Sequence, residues 1–95
     1  MRRKRKPKVL TVVGRRWFRR SMGNTYSSVV VTIDGQEAYA SEAESGYGNY
    51  FEQMAAEWMQ ANGYPTVGYS LSRWARENNV IFQSLAIDVA RERDL

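Results

Sequence analysis

The 95-residue chain contains no cysteine and no histidine. The first absence excludes disulfides, thiolate metal sites and cysteine nucleophiles. The second removes the commonest general base and the commonest non-thiolate zinc ligand. Lysine is absent beyond Lys8, so acid–base chemistry would fall to carboxylates and tyrosines. No pair of carboxylates shows the converging spacing, with a lysine nearby, that a metal-dependent nuclease needs. A non-enzyme is expected, with no catalytic residue, no metal and no cofactor. No apolar run approaches the ~20 residues of a membrane span. Val9–Gly14 is too short, and too soon interrupted by Arg15, to be the core of a signal peptide. A soluble, cytoplasmic protein without a membrane partner is expected.

What is present is aromatic and electrically lopsided. Three Trp, six Tyr and three Phe can supply much of the core of one small domain. The formal net charge of +4 conceals a steep gradient. Residues 1–20 hold ten of the fourteen basic residues and no acid. Residues 21–95 hold four arginines and all ten acids. A field concentrated in this way attracts polyanions at one end and repels them at the other.

The element pattern predicts an α+β fold in the order β-β-β-α-α-β. It would be an antiparallel sheet of three to four strands with two helices on one face. Residues 1–7 read as a disordered basic arm and residues 8–95 as the single domain. "KVLTVVGRRWFRR" reads as the first strand, with Gly14 marking a bulge or bend. "SMGN" supplies a turn, with Gly23 and Asn24 able to take positive φ. "TYSSVVVTI" is the clearest strand, and Asp34–Gly35 signals a type I′ hairpin.

That hairpin predicts one face carrying Val29, Val31, Ile33, Ala38 and Ala40. The other would carry Val30, Thr32, Glu37 and Tyr39. Asn49 reads as the N-cap of a helix with Glu52 completing a capping box. Phe51, Met54, Ala55 and Trp58 form its apolar stripe, and Asn62–Gly63 stops it. "YPTVGY" reads as a loop. "SLSRWARENN" reads as a shorter helix capped by Ser70 or Ser72, with Leu71, Trp74 and Ala75 inward. Residues 80–89 suit a strand or a helix, and the β-branched content favours a strand.

The main functional signal is Arg15–Arg20. In a strand, Arg15, Trp17 and Arg19 share one face, and Arg16, Phe18 and Arg20 the other. With Phe18 in the core, Trp17 would stand outward between Arg15 and Arg19. Arginine forks suit phosphates and guanine edges, and Trp suits base stacking. A plainer reading puts both aromatics in the core, with arginines that only keep a long strand soluble. The expected nucleic-acid-binding residues are Arg2, Arg3, Lys4, Arg5, Lys6 and Lys8 of the arm, and Arg15, Arg16, Trp17, Arg19 and Arg20 of the strand. DNA is expected ahead of RNA. "GYGNY" at Gly46–Tyr50 precedes a helix but lacks the spacing of a phosphate-binding loop, and reads as a plain loop.

"RRWFRRSMGNTYSSVVV" resembles a motif in small uncharacterised proteins encoded by bacteriophages and prophages. Those share an RWF, a short polar stretch, GNTY and an alternating strand. The resemblance extends to Gly46–Gly48, "LSRWAREN" at Leu71–Asn78 and "DVARERDL" at Asp88–Leu95. It implies a mobile-element origin and a bacterial host cytoplasm, and it assigns no activity. Two functions follow as expectations. One is a phage-type nucleic-acid-binding protein. The other is a phage accessory protein that inhibits or modulates a host protein complex, for example a defence system, by protein–protein binding.

Overall fold

The structure is a computed structural model that describes residues 6–64 and 70–95. Arg2, Arg3, Lys4 and Arg5, and most of the loop expected at residues 64–69, lie outside the described residues. The elements are β1 (Val9–Arg19), β2 (Asn24–Ile33), β3 (Gln36–Ala40), β4 (Glu44–Ser45), α1 (Tyr50–Ala61), α2 (Leu71–Glu77) and β5 (Ile81–Asp88). A single 3-10 turn, Glu92–Asp94, closes the chain. The fold is α+β, with both helices on one face of a five-stranded sheet. Strand order is β3-β2-β1-β5, and β4 also pairs with β2. No helix among the described residues is long and apolar enough to cross a membrane.

The sheet is mixed, not antiparallel throughout. β5 runs parallel to β1, with Val9 opposite Ile81 and Arg16 opposite Asp88. The path of the chain through the helices accounts for the difference. The 12 residues of α1 carry the chain back along the sheet by ~18 Å. The 7 residues of α2 span only ~10 Å, and α2 leads into β5 without a second return along the sheet. β5 therefore starts at the same end of the sheet as β1.

The β1–β2 pairing runs from Leu10–Ile33 to Arg19–Asn24. Leu10, Val12, Val29 and Val31 face the helices and are fully or almost fully buried. They meet Phe51, Met54, Ala55, Ala56 and Met59 of α1, and Leu71, Trp74 and Ala75 of α2. Gly14 pairs regularly with Val29 and Ala86, so there is no bulge there. Its missing side chain makes room for an aromatic ring: a Cβ would stand 2.0 Å from Phe51 Cγ.

The turn at Asp34–Gly35 takes positive φ at both residues, 51° and 84°, as type I′ requires. Gly23 also takes positive φ, at 67°, whereas Asn24 lies within β2.

The β2–β3 register departs from the expectation. A bulge between Val31 and Thr32 sets Tyr39 opposite Val31 and Ala40 opposite Val30. Tyr39 thus turns to the helix face and stacks on Trp58, centroids 4.9 Å apart. A ring there covers far more apolar surface than an alanine methyl, which favours the bulged register. Trp58 consequently flanks the core, and Met59 takes the deep position in the stripe of α1. Asn49 precedes α1 without a side-chain cap, and Glu52 accepts instead from Ser84 Oγ at 3.2 Å, so no capping box forms. Ser70 does cap α2, accepting from the Arg73 amide.

Candidate nucleic-acid interface

Alternation along β1 divides the basic cluster. Arg15, Trp17 and Arg19 lie on the face away from the helices, opposite Ser28, Tyr26 and Asn24 of β2. These neighbours are neutral, and none competes for the guanidinium groups. Trp17 is half-buried against Tyr26, with ring centroids 5.8 Å apart and planes tilted by 30°. Arg15, Arg19 and Arg20 are exposed. Among the described residues the ion pairs are Arg16–Asp88 and Arg73–Glu77, so these three arginines take part in none.

Arg16 is held apart. It points to the helix side, where Nε donates to Asp88 Oδ1 at 2.8 Å and Nη2 to Oδ2 at 3.2 Å. Nη1 donates to the Gly48 carbonyl at 3.3 Å and approaches Asn49 Oδ1 at 3.5 Å. One bidentate fork thereby ties the ends of β1 and β5 to the start of α1. Phe18 also lies on that side. It is not in the core: the helices do not reach it, and it is 54 % exposed. The Trp17 and Phe18 rings therefore stand on opposite faces, and neither is a core residue.

The far end of the β1–β2 hairpin projects past its neighbours. Pairing with β5 ends at Arg16–Asp88, and pairing with β4 ends at Tyr26–Ser45. Beyond these rows the two strands continue as a ribbon through Phe18–Thr25 and Arg19–Asn24. It closes with the Gly23 amide donating to the Arg19 carbonyl at 2.9 Å. On the helix side the ribbon borders an open cleft of about 310 Å³ lined by Arg16, Phe18, Thr25, Gly48, Asp88 and Val89. Tyr47, 69 % exposed, reaches toward the same tip, its hydroxyl 3.5 Å from the Gly23 carbonyl.

The arm begins at the opposite end. Lys8 directly precedes β1, and its amide donates to Asp34 Oδ1 at 2.8 Å. Lys6 Nζ donates to the Asn78 carbonyl, and Pro7 is fully buried. The length of β1 puts ~33 Å between its two ends. Within one chain the root of the arm and the Arg15–Arg20 cluster are therefore not brought together. Glu37, opposite Thr32 and so level with Thr11, lies four residues along the strand direction from Arg15. Glu37 on the open face thus stands toward the arm end, away from Arg15.

Tyr26 is the residue that sequence reading missed. The alternation that places Val30 and Thr32 on the outer face, extended backwards, puts Tyr26 there too. Its pairing with Trp17 depends on the turn length. Among the described residues no group of three or more acids gathers as a metal site. Comparison with known protein families, with curated proteins and with solved structures returned no match.

Proposed function

We propose that this protein binds nucleic acid, DNA in preference to RNA, through the projecting end of the β1–β2 hairpin, without catalysis. The observation that carries this reading is the row of Arg15, Trp17 and Arg19 on the sheet face away from the helices, opposite the neutral Ser28, Tyr26 and Asn24, with Arg15, Arg19 and Arg20 outside any ion pair among the described residues. Exposed guanidinium groups release condensed counterions from phosphates and fit their oxygens in pairs. A two-stranded ribbon is also of the width that a major groove admits. Trp17 backed by Tyr26 offers a fixed aromatic plane to a base or an arginine fork. The arm residues Arg2–Lys8 add phosphate contacts. The resemblance to phage-encoded proteins fits such an accessory role.

The test is fluorescence anisotropy on a labelled duplex, a matched single strand and a matched RNA at low salt. Arg15→Ala/Arg19→Ala should weaken duplex binding at least ~10-fold, about one to two phosphate contacts' worth. Arg16→Ala should change stability more than affinity. No duplex binding by the full chain at low salt would overturn the proposal.

One observation favours the second reading, an accessory protein that docks on a host protein. Phe18, Met22 and Tyr47 are large, apolar and exposed around the tip. Aromatic anchors of this kind dominate protein interfaces. If that reading holds, Phe18→Ser should abolish capture of the partner, and added salt should leave capture nearly unchanged.

A further inference from the structure

We propose that β5 is the pairing edge of a symmetric dimer, in which a second copy of the chain adds its own β5 antiparallel and continues the sheet. The two edges of the sheet are built differently. β3 is protected in the usual ways: it has 5 residues, its pairing is bulged, and it carries Glu37. β5 has 8 residues, no proline, no lysine and no bulge. Its one charged side chain, Asp88, is already bound by Arg16. Its aliphatic side chains sit on the face away from the helices, with Ile81 61 % and Leu85 55 % exposed. A strand left this way in a monomer is a template for another strand.

The backbone fixes which register fits. The amide of Ile81 donates to the Lys8 carbonyl and that of Val89 to the Arg16 carbonyl, so odd-numbered amides face β1. By alternation the amides of Phe82, Ser84, Ala86 and Asp88 point outward along the open edge. A two-fold axis at Ser84 pairs Ser84 with its own copy and Phe82 with Ala86 of the partner subunit. Both are pairs of outward-facing residues, as an antiparallel ladder requires. The same register sets Ile81 against Ile87 of the partner subunit, in the closer non-hydrogen-bonded positions. Aliphatic pairs there stabilise a sheet. It opposes no like charges along the strands themselves, because the two Asp88 side chains lie at opposite ends of the paired segment, and the two Glu52 carboxylates that flank the axis each accept from a Ser84 hydroxyl.

The dimer would also repair the separation seen within one chain. Ser84 is level with Val12, so the axis sets row 8 of one copy level with row 16 of the other. β1 and its symmetry mate are three strand spacings apart, or ~14 Å. The root of one arm would then stand beside the Arg15–Arg20 cluster of the second copy. This consequence rests on the nucleic-acid reading; the pairing itself does not, and its test contains no nucleic acid.

An eight-residue strand pair is a small interface, so sedimentation equilibrium of the full chain should span about 5 to 500 µM. The mass should rise from the 11.0 kDa of one chain toward about twice that value. Ala86→Pro removes an outward amide and no bond to β1, and should hold the mass at that of one chain with an unchanged far-UV circular dichroism spectrum. In this cysteine-free chain, Ser84→Cys should oxidise to a covalent dimer, while Ala38→Cys on the β3 edge should stay largely monomeric. The Ser84→Cys result holds even if the proline variant fails to fold. A single-chain mass throughout, association unaffected by a folded Ala86→Pro, or equal cross-linking at positions 38 and 84 would each overturn the proposal.

Discussion

Neighbouring residues of β1 live on two different surfaces. On the helix side, Leu10, Val12 and Gly14 are closed over by α1 and α2, and Arg16 is locked to Asp88. On the other side, Val9, Thr11 and Val13 are half-covered, and neither α1 nor α2 packs over them. Arg15 and Arg19 on that side have no ionic partner among the described residues. Arg15 and Arg16 differ by one position in sequence and by everything in environment. The contrast teaches that arginine density alone does not define a binding surface. Strand parity decides which guanidinium is tied into the fold and which stays exposed.

The sharpest way to break the contrast is at Gly14. Gly14→Ala drives a Cβ to 2.0 Å from the Phe51 ring, which is itself fully buried. The expected loss is about 3 kcal/mol or more, seen as a lower urea midpoint. Leu10→Ala on the same face should cost about 2–5 kcal/mol, because the side chain is fully buried and leaves a cavity. Leu85→Ala on the open face, measured at low protein concentration, should cost no more than ~1 kcal/mol. Equal costs for Leu10 and Leu85 would contradict the assignment of faces.

Much of this division was legible beforehand. The Asp34–Gly35 turn, the buried face of α2 and the strand after Asn79 follow from local chemistry: αL-tolerant residues, helical spacing and β-branching. The parity of Arg15, Trp17 and Arg19 also followed from alternation. Three features needed the tertiary structure. Gly14 looked like a bend, and only the Phe51 ring above it explains a glycine in a regular strand. Tyr39 was expected outside, and its stacking on Trp58 selects a bulge that no local rule announces. Arg16 looked equivalent to its neighbours until Asp88, 72 residues away, was placed beside it.

A smaller effect sharpens the Arg15–Arg16 comparison. Asp88→Ala should cost about 0.5–1 kcal/mol, since the Asp88 side chain is largely exposed and solvent screens the pair. Arg15→Ala should leave the urea midpoint unchanged within error. Trp17→Ala should weaken single-strand binding roughly 5- to 100-fold if a base stacks there, with little change in fold.

The slightest effect concerns alkaline pH. The Glu44 carboxylate, with burial and then Glu57 adding to it, raises the Tyr50 phenol above its ordinary value. The folded state therefore holds this proton more tightly than the unfolded chain. The resulting stabilisation is complete below about pH 10 and is lost as pH climbs through the raised value. Glu44→Gln should make the alkaline decline in midpoint shallower.

On the proposed function the open-face arginines, and not the whole basic cluster, meet the phosphates. The most direct measurement is the salt dependence of duplex affinity for the full chain, Arg15→Ala/Arg19→Ala and Arg16→Ala. The full chain should give a log–log slope of about −4 to −7, reflecting roughly 4–8 phosphate contacts. The Arg15/Arg19 variant should flatten it by about 2, and the folded Arg16 variant by less than ~0.5. Equal flattening by both variants, or a slope near zero for the full chain, would contradict the account.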